Sequence, residues 1–218
     1  WLLSALINFY NTGRGGSLSV LRVKVPNNWF YDGSNIFRQV EAYSVDDDVI
    51  RIQIGNSADS ANNHIEVLEG LSKFRNENIE LHCILSYGEK PWSKGWAKKV
   101  TECGKKIFGD KFIPVTDFMT KGEYDKFLSK MDIAIFNHKR QQAMGNTIML
   151  LGLGKKVYMR SDLTSWELFN EIGVKVYDVS NVNIDPIDEG VQRQNSMKVK
   201  EYFSKESYLK HLVNLYRD

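Results

Sequence analysis

Cysteine is scarce in this 218-residue sequence. Cys83 and Cys103 are the two present, they form no CxxC pair, and four histidines add no zinc-type spacing. A disulfide framework and a structural zinc cluster are both excluded, and a reducing, cytoplasmic setting is the default expectation. Long apolar runs are lacking as well. The longest candidates, Trp1–Phe9 and Ile148–Leu153, fall well short of the roughly 18 uninterrupted residues that a membrane span needs. Neither sign of charge predominates, with 29 Lys and Arg against 27 Asp and Glu, so the concentrated basic face of a nucleic-acid binder is not expected. No internal repeat and no low-complexity tract is present.

What the sequence does have is core material: 42% of residues are hydrophobic and 12% aromatic, too apolar for disorder. The chain opens on Trp1, and its first ten residues are apolar on every side, which an isolated surface helix would not be. Residues 1–48 are read as the end of a preceding N-terminal domain plus a linker, with turn chemistry at Pro26, Asn27, Asn28 and Gly33 and an acidic run at Asp46–Asp48. From Val49 onward, short β-rich runs alternate with helical patterns. Val49–Ile54, Leu81–Leu85, Phe112–Val115, Ile133–Phe136, Val157–Met159 and Val174–Tyr177 read as strands. Between them, apolar residues fall three or four apart: Ile65, Leu68, Leu71 and Phe74; Trp92, Trp96 and Val100; Tyr124, Phe127, Leu128 and Met131. Thr120 with Glu123 and Thr164 with Glu167 fit the capping box, and Gly154 and Gly173 sit where helices should stop. The alternation implies parallel strands and right-handed crossovers, hence an α/β, Rossmann-like doubly wound sheet over residues 49–180. The helices of 181–218 are expected to pack back on this domain or on its partner domain.

In an open parallel sheet, ligands bind beyond the carboxyl ends of the strands, so the segments after each strand are where chemistry should collect. The first strand is followed by Gly55 through His64, a small polar loop containing Asn56, Ser57, Ser60, Asn62 and Asn63. It lacks GxGxxG spacing, which removes the main support for dinucleotide chemistry. Turn formation and capping account for one or two of its polar residues. His64, near a helix N-terminus, is expected to be neutral. The second strand is followed by Ser86, Tyr87 and Gly88, and the fourth by Asn137 through Gln142, then a helix through Ala143, Met144, Gly145 and Asn146. A helix N-terminus with Arg140 beside it suits a pyrophosphate. Gly145 within that helix signals either close packing or a ligand's approach, the two being evenly weighted. His138 is a weak candidate for a general base, because no Ser or Cys nucleophile accompanies it, and a binding role ranks above. Asp46–Asp48 precedes its strand, on the wrong edge of the sheet for a metal site, and reads as a solvated run. Lys98, Lys99, Lys105 and Lys106 read as the wet face of a helix, with weak attraction to acidic lipids as the alternative.

At these clusters the sequence resembles glycosyltransferase family 56. The resemblance is carried by Ile54-Gly55-Asn56-Ser57, Asn62-Asn63-His64, Leu85-Ser86-Tyr87-Gly88, and above all Ile135-Phe136-Asn137-His138 with Arg140-Gln141-Gln142-Ala143 and Gly145-Asn146, continuing into Leu150-Leu151 and Gly154 through Tyr158. It implies a two-domain GT-B glycosyltransferase of which this chain is the C-terminal, donor-binding part, with further residues on the N-terminal side. It also implies a donor such as a TDP-linked 4-acetamido-4,6-dideoxygalactose, a lipid-linked saccharide acceptor in bacterial surface polysaccharide synthesis, as in enterobacterial common antigen, and peripheral contact with the cytoplasmic face of the inner membrane. No metal or other cofactor is implied, so fixed donors would stabilise the departing diphosphate: Arg140 and the amides near Gln141 and Gln142. Gly55, Asn56 and Ser57 would form the opposing wall, with Ser86, Tyr87 and Gly88 near nucleotide or sugar, and Asn63, His64 and Asn137 as partners for sugar hydroxyls or an acetamido group. Two other readings stand beside this one: a nucleotide-sugar epimerase of the same fold, and a non-catalytic nucleotide-binding α/β module. A receiver-type module would want a phosphorylatable Asp at a strand end, and none of the six strand ends supplies one.

Overall fold

The computed structural model describes residues 36–40 and 47–215. The apolar segment Trp1–Phe9 and most of the connector lie outside the described residues. Six strands form one wholly parallel sheet: β1 Ile50–Ile54, β2 Ile79–Ile84, β3 Phe112–Val115, β4 Ile133–Phe136, β5 Lys156–Met159 and β6 Tyr177–Asp178, in the order β3-β2-β1-β4-β5-β6. The helices are α1 His64–Leu71, α2 Trp96–Phe108, α3 Lys121–Ser129, α4 Met144–Gly152, α5 Thr164–Glu171, α6 Glu189–Tyr202 and α7 Lys205–Leu215. This is the Rossmann-like doubly wound fold expected, and its strand order reverses between β1 and β4.

Strand pleat sorts the core into two layers, because successive side chains leave a strand on opposite faces. Ile133 and Ile135 of β4, with Ile52 and Ile54 of β1 and Tyr158 of β5, join Val67, Leu68 and Leu71 of α1 and Val100 and Phe108 of α2. The alternate residues Ala134, Phe136, Val157 and Met159 pack with Leu128 of α3, the interior of α4, Leu168 and Phe169 of α5 and Val199 of α6. The partly buried Val179, Val182 and Ile184 extend the first layer, so the chain after β6 crosses that face before α6 returns on the other. Among the described residues no helix is long and apolar enough to cross a membrane.

Helix punctuation agrees with the sequence at three of four places. Thr120 and Glu123 form a reciprocal capping box, the Glu123 carboxylate accepting from the Thr120 amide at 2.7 Å. Gly154 and Gly173 close α4 and α5 with positive φ, and the amides of Lys155 and Val174 reach back to Leu150 and Phe169 carbonyls. Gly154 also admits α6, because a Cβ there would collide with Gln192, whereas one on Gly173 would meet only the tip of the flexible Lys198 side chain. Lys198 Nζ donates to the Gly173 carbonyl at 2.8 Å, and Ser196 Oγ donates to the Gly152 carbonyl at 2.7 Å. The Thr164 capping box does not form. Leu163 is the N-cap, without a side-chain bond, and Thr164 is already helical.

Further boundaries differ from the expectation: β2 runs Ile79–Ile84 rather than Leu81–Leu85, and Phe74 lies in a 3-10 turn after α1. Trp92 does not belong to α2. Pro91–Ser93 is a separate 3-10 turn, Trp92 is 80% exposed, and the helix starts after Gly95, since Pro91 favours a helical start and Gly95 ends it. The sixth strand is shorter and later than Val174–Tyr177. Val174 and Val176 are buried against the sheet, but ladder pairing to β5 begins at Tyr177. Of the acidic run, Asp46 lies outside the described residues, while Asp47 and Asp48 lie at the amino edge of the sheet, where Asp47 holds Arg51 through two contacts of 2.7 and 2.9 Å.

Close packing at one helical glycine gives a stability test. A Cβ on Gly104 would run into the fully buried Phe112 ring, whereas one on Gly70 would meet nothing within 4 Å. Gly104→Ala should lower unfolding free energy by about 1–3 kcal/mol. Gly70→Ala should raise it by up to about 1 kcal/mol. Urea denaturation of the two variants checks both signs.

Candidate active site

The site is assembled where the strand order reverses, from the loops after β1, β2 and β4. Gly55 leaves β1 with φ +62, and a Cβ there would fall 2.7 Å from His64 Nε2 and 2.8 Å from Asn62 Oδ1. Glycine is required on both counts, conformation and space. The loop then turns under Asn62, whose amide is 1% exposed. Asn62 Oδ1 accepts from the Asn56 amide at 3.0 Å and from His138 Nε2 at 2.7 Å. Its Nδ2 donates to the Asp59 carbonyl at 2.9 Å and to Ser57 Oγ at 3.3 Å. One side chain thereby ties the β1 loop to itself and to the β4 loop.

Further bonds lock the loops together. Asn63, left-handed at φ 51, caps the start of α1 and donates from Nδ2 to the Asn137 carbonyl at 2.7 Å. Gln142 Nε2 donates to Asn56 Oδ1 at 3.0 Å. Arg140 Nη2 meets Asp59 Oδ2 at 3.1 Å, the carboxylate nearly buried and the guanidinium about half exposed. From the β2 loop, the Tyr87 carbonyl accepts from the Ala58 amide at 2.6 Å, and a Cβ on Gly88 would come within 2.9 Å of Ser57. Ser86 lies in the same loop, half-buried, with Tyr87 half exposed beside it.

Helix α4 begins later than the sequence suggested. Ala143, left-handed at φ 57, is the N-cap, and the first helical bond runs from the Thr147 amide to the Ala143 carbonyl. The amides free of helical partners are therefore those of Met144, Gly145 and Asn146, not those of Gln141 and Gln142, which lie in the loop. Asn146 Nδ2 donates to Tyr124 Oη at 2.9 Å. Gly145 and Asn146 line a small cavity beside Asp125 and Arg38.

Both histidines of the site are buried and held neutral. Burial pulls the pKa of each from 6.5 down to about 4, and for His138 the Arg140 charge acts in the same direction. His64 Nδ1 accepts from Trp96 Nε1 at 3.1 Å, so its proton sits on Nε2. His138 donates its Nε2 proton to Asn62 and stacks on Phe136 with ring centroids 5.5 Å apart. His138 is thus a positioning residue in this arrangement.

Four buried side-chain polar atoms among the described residues have no hydrogen-bond partner: Gln53 Oε1, His64 Nε2, Asn137 Oδ1 and Gln142 Oε1. All four belong to the end of β1 or to the loops after β1 and β4. Such a concentration of unmet hydrogen-bonding capacity suits a polar ligand, since each orphan costs roughly 1–3 kcal/mol. Asp59, Gln53 and Tyr124 are members of this network that the sequence reading gave no place in the site, and Asn62 figured there only as a turn residue and as part of the family motif. Gln53 carried a legible signal, a polar residue between Ile52 and Ile54 of a central strand. Its Nε2 donates to the Gly55 carbonyl at 3.0 Å. Among the described residues, no three His, Cys, Asp or Glu side chains converge as metal ligands.

Comparison with known proteins agrees with this architecture. The family model described as 4-alpha-L-fucosyltransferase, glycosyl transferase group 56, matches residues 28–214. Among solved structures, a glycosyltransferase from Rickettsia africae is 17% identical with a TM-score of 0.61, covering 78% of this chain and 48% of its own. The N-terminal domain of Candida albicans trehalose-6-phosphate phosphatase gives 13% and 0.59, covering 75% and 40%. An Escherichia coli trehalose-6-phosphate structure bound with UDP-2-fluoro glucose gives 9% and 0.57, covering 78% and 44%. The chain spans less than half the length of these structures, and the likeness is one of fold.

Two measurements follow from the network. Asn62→Ala leaves the Asn56 amide and the His138 Nε2–H without an acceptor and should cost about 1–3 kcal/mol for each orphaned group in denaturant unfolding. The two histidines bind protons more readily unfolded than folded, so stability should be full above about pH 6.5 and fall as pH drops toward 4. His138→Gln should flatten that decline in thermal melts taken across the range. The family match covers most of the chain, and this protein belongs to glycosyltransferase family 56.

Proposed function

We propose that the protein binds a nucleoside diphosphate sugar at the β1/β4 reversal and transfers its glycosyl group to a saccharide acceptor as a hexosyltransferase. The observation that carries this reading is the convergence of Arg140 and the free amides at the start of α4 with a set of buried polar atoms left without partners. The helix terminus presents aligned donors and the positive end of its dipole, and Arg140 adds a permanent cation with planar geometry. Charge growing on the departing diphosphate is then met by donors already in place, without a metal. Asp59 aims the guanidinium, and Asn62 with His138 fixes the loop that carries it.

Family membership supports the finer version: a TDP-linked 4-acetamido-4,6-dideoxygalactose or similar donor, a lipid-linked acceptor in bacterial surface polysaccharide synthesis, and work at the cytoplasmic face of the inner membrane. In this reading Gly55, Asn56 and Ser57 face the diphosphate from the β1 side, and Ser86, Tyr87 and Gly88 from β2. Side chains of Asn63 and His138 act through the loop, because their donors are already committed to Asn137 and Asn62.

Calorimetric titration with TDP and UDP in the presence of EDTA tests the proposal. Micromolar binding of one of them, weakened at least tenfold in Arg140→Ala, is the expected result. Unchanged affinity in that variant would overturn the assignment.

A further inference from the structure

Beside the diphosphate site lies a cleft of about 520 Å³ on the α1 face of the sheet. Its floor is Ile135 and its walls are Val67 and Gly70 of α1 on one side and the chain from Asp178 to Val182 on the other. Of the candidate site residues read from sequence it contains Asn137, which closes its inner end. The same Asn137 supplies, through its carbonyl, the anchor for Asn63. The cleft and the diphosphate site therefore share a wall.

Its chemistry selects a class of ligand. Arg160 is held by Asp162 through contacts of 3.0 and 2.6 Å, and Lys73 donates to the Val182 carbonyl at 3.0 Å. Both cations of the lining are thus engaged with the protein, while Glu66 and Asp178 add negative charge. A phosphate or carboxylate ligand is disfavoured here. Asn137 is 3% exposed, and its Oδ1 accepts no hydrogen bond, so the inner end calls for a donor. Hydroxyl-bearing ligands supply such donors, carboxylates and serines at the outer end accept and give more, and the aliphatic floor covers a C–H face. We infer that this cleft is a binding site for a neutral sugar ring, set against Asn137 next to the diphosphate site. This rests on the proposed function for its place in catalysis, though not for binding itself. The ring belongs either to the donor's glycosyl group or to the acceptor.

The test uses saturation-transfer NMR on the whole 218-residue chain with L-fucose and N-acetyl-D-glucosamine as probes. Gly70 lines the cleft and a Cβ there meets nothing within 4 Å, so Gly70→Phe places a ring at the cleft wall. Transfer to at least one sugar in the unmodified protein, abolished in Gly70→Phe and reduced several-fold in Asp178→Asn, is expected. Asp178→Asn keeps an oxygen for the Ser180 amide, which Asp178 now caps at 2.8 Å, so it serves if the larger substitution fails to fold. Retained TDP or UDP binding in both variants separates this result from failure of the diphosphate site. Displacement of the free sugar by a nucleotide sugar, but not by the nucleotide, assigns the ring to the donor; coexistence assigns it to the acceptor. No transfer to either sugar, or transfer that survives in the folded Gly70→Phe protein, overturns the inference.

Discussion

Everything at the carboxyl edge of this sheet hangs on the saturation of one amide. Asn62 uses both lone-pair directions of its oxygen and both hydrogens of its nitrogen, within a space too small for the Cβ that any residue but glycine would place at position 55. Its bond to His138 is the step by which order in the β1 loop becomes order in the β4 loop, because it crosses the line where the strand sequence reverses. A loop of small polar residues has little apolar area to bury and would otherwise sample many conformations. Here rigidity comes from hydrogen-bond closure in a dry environment, where each bond is stronger and each omission dearer.

The neutral histidines belong to the same logic. A cationic His138 would sit beside Arg140 and the positive end of α4, three like charges around one small loop. Burial removes that possibility and leaves the exposed Lys139 and Arg140 as the cations of that loop. Asp59 offsets part of the Arg140 charge and fixes its direction, leaving one side of the guanidinium exposed.

Much of the fold was legible because its signals are local. Strand alternation, 3.6-residue spacing in α1 and α3, the Thr120 capping box and the stops at Gly154 and Gly173 all reside within a few residues of sequence. The misplacements have local competitors: Pro91 and Gly95 detach Trp92 from α2, and Leu163 rather than Thr164 holds the N-cap of α5. At the site, residue types and loops could be read, but partnership could not. Nothing in the spacing of Asn62 and His138, 76 positions apart, announces that they bond, nor that Asp59 should reach Arg140. The late start of α4 depended on Ala143 adopting a left-handed conformation, which alanine seldom does. The cleft beside Asn137 is walled by side chains of α1 and of the strand ends, so it has no sequence signature at all.

The docking of α6 on Gly154 and Gly173 bears on how inactive variants of such a protein should be sorted. Two kinds of glycine coexist here, one facing the loops of the site and one receiving Gln192 and Lys198 some distance away. A random mutagenesis screen scored only by lost turnover would return both in the same list. Heat sensitivity and yield would part them, since a larger residue at 154 presses on Gln192 of α6 and one at 173 is strained by its positive φ, while one at 55 disrupts the front. A map of loss-of-function glycines drawn without that second readout would outline the packing of the last helices as faithfully as it outlines the chemistry.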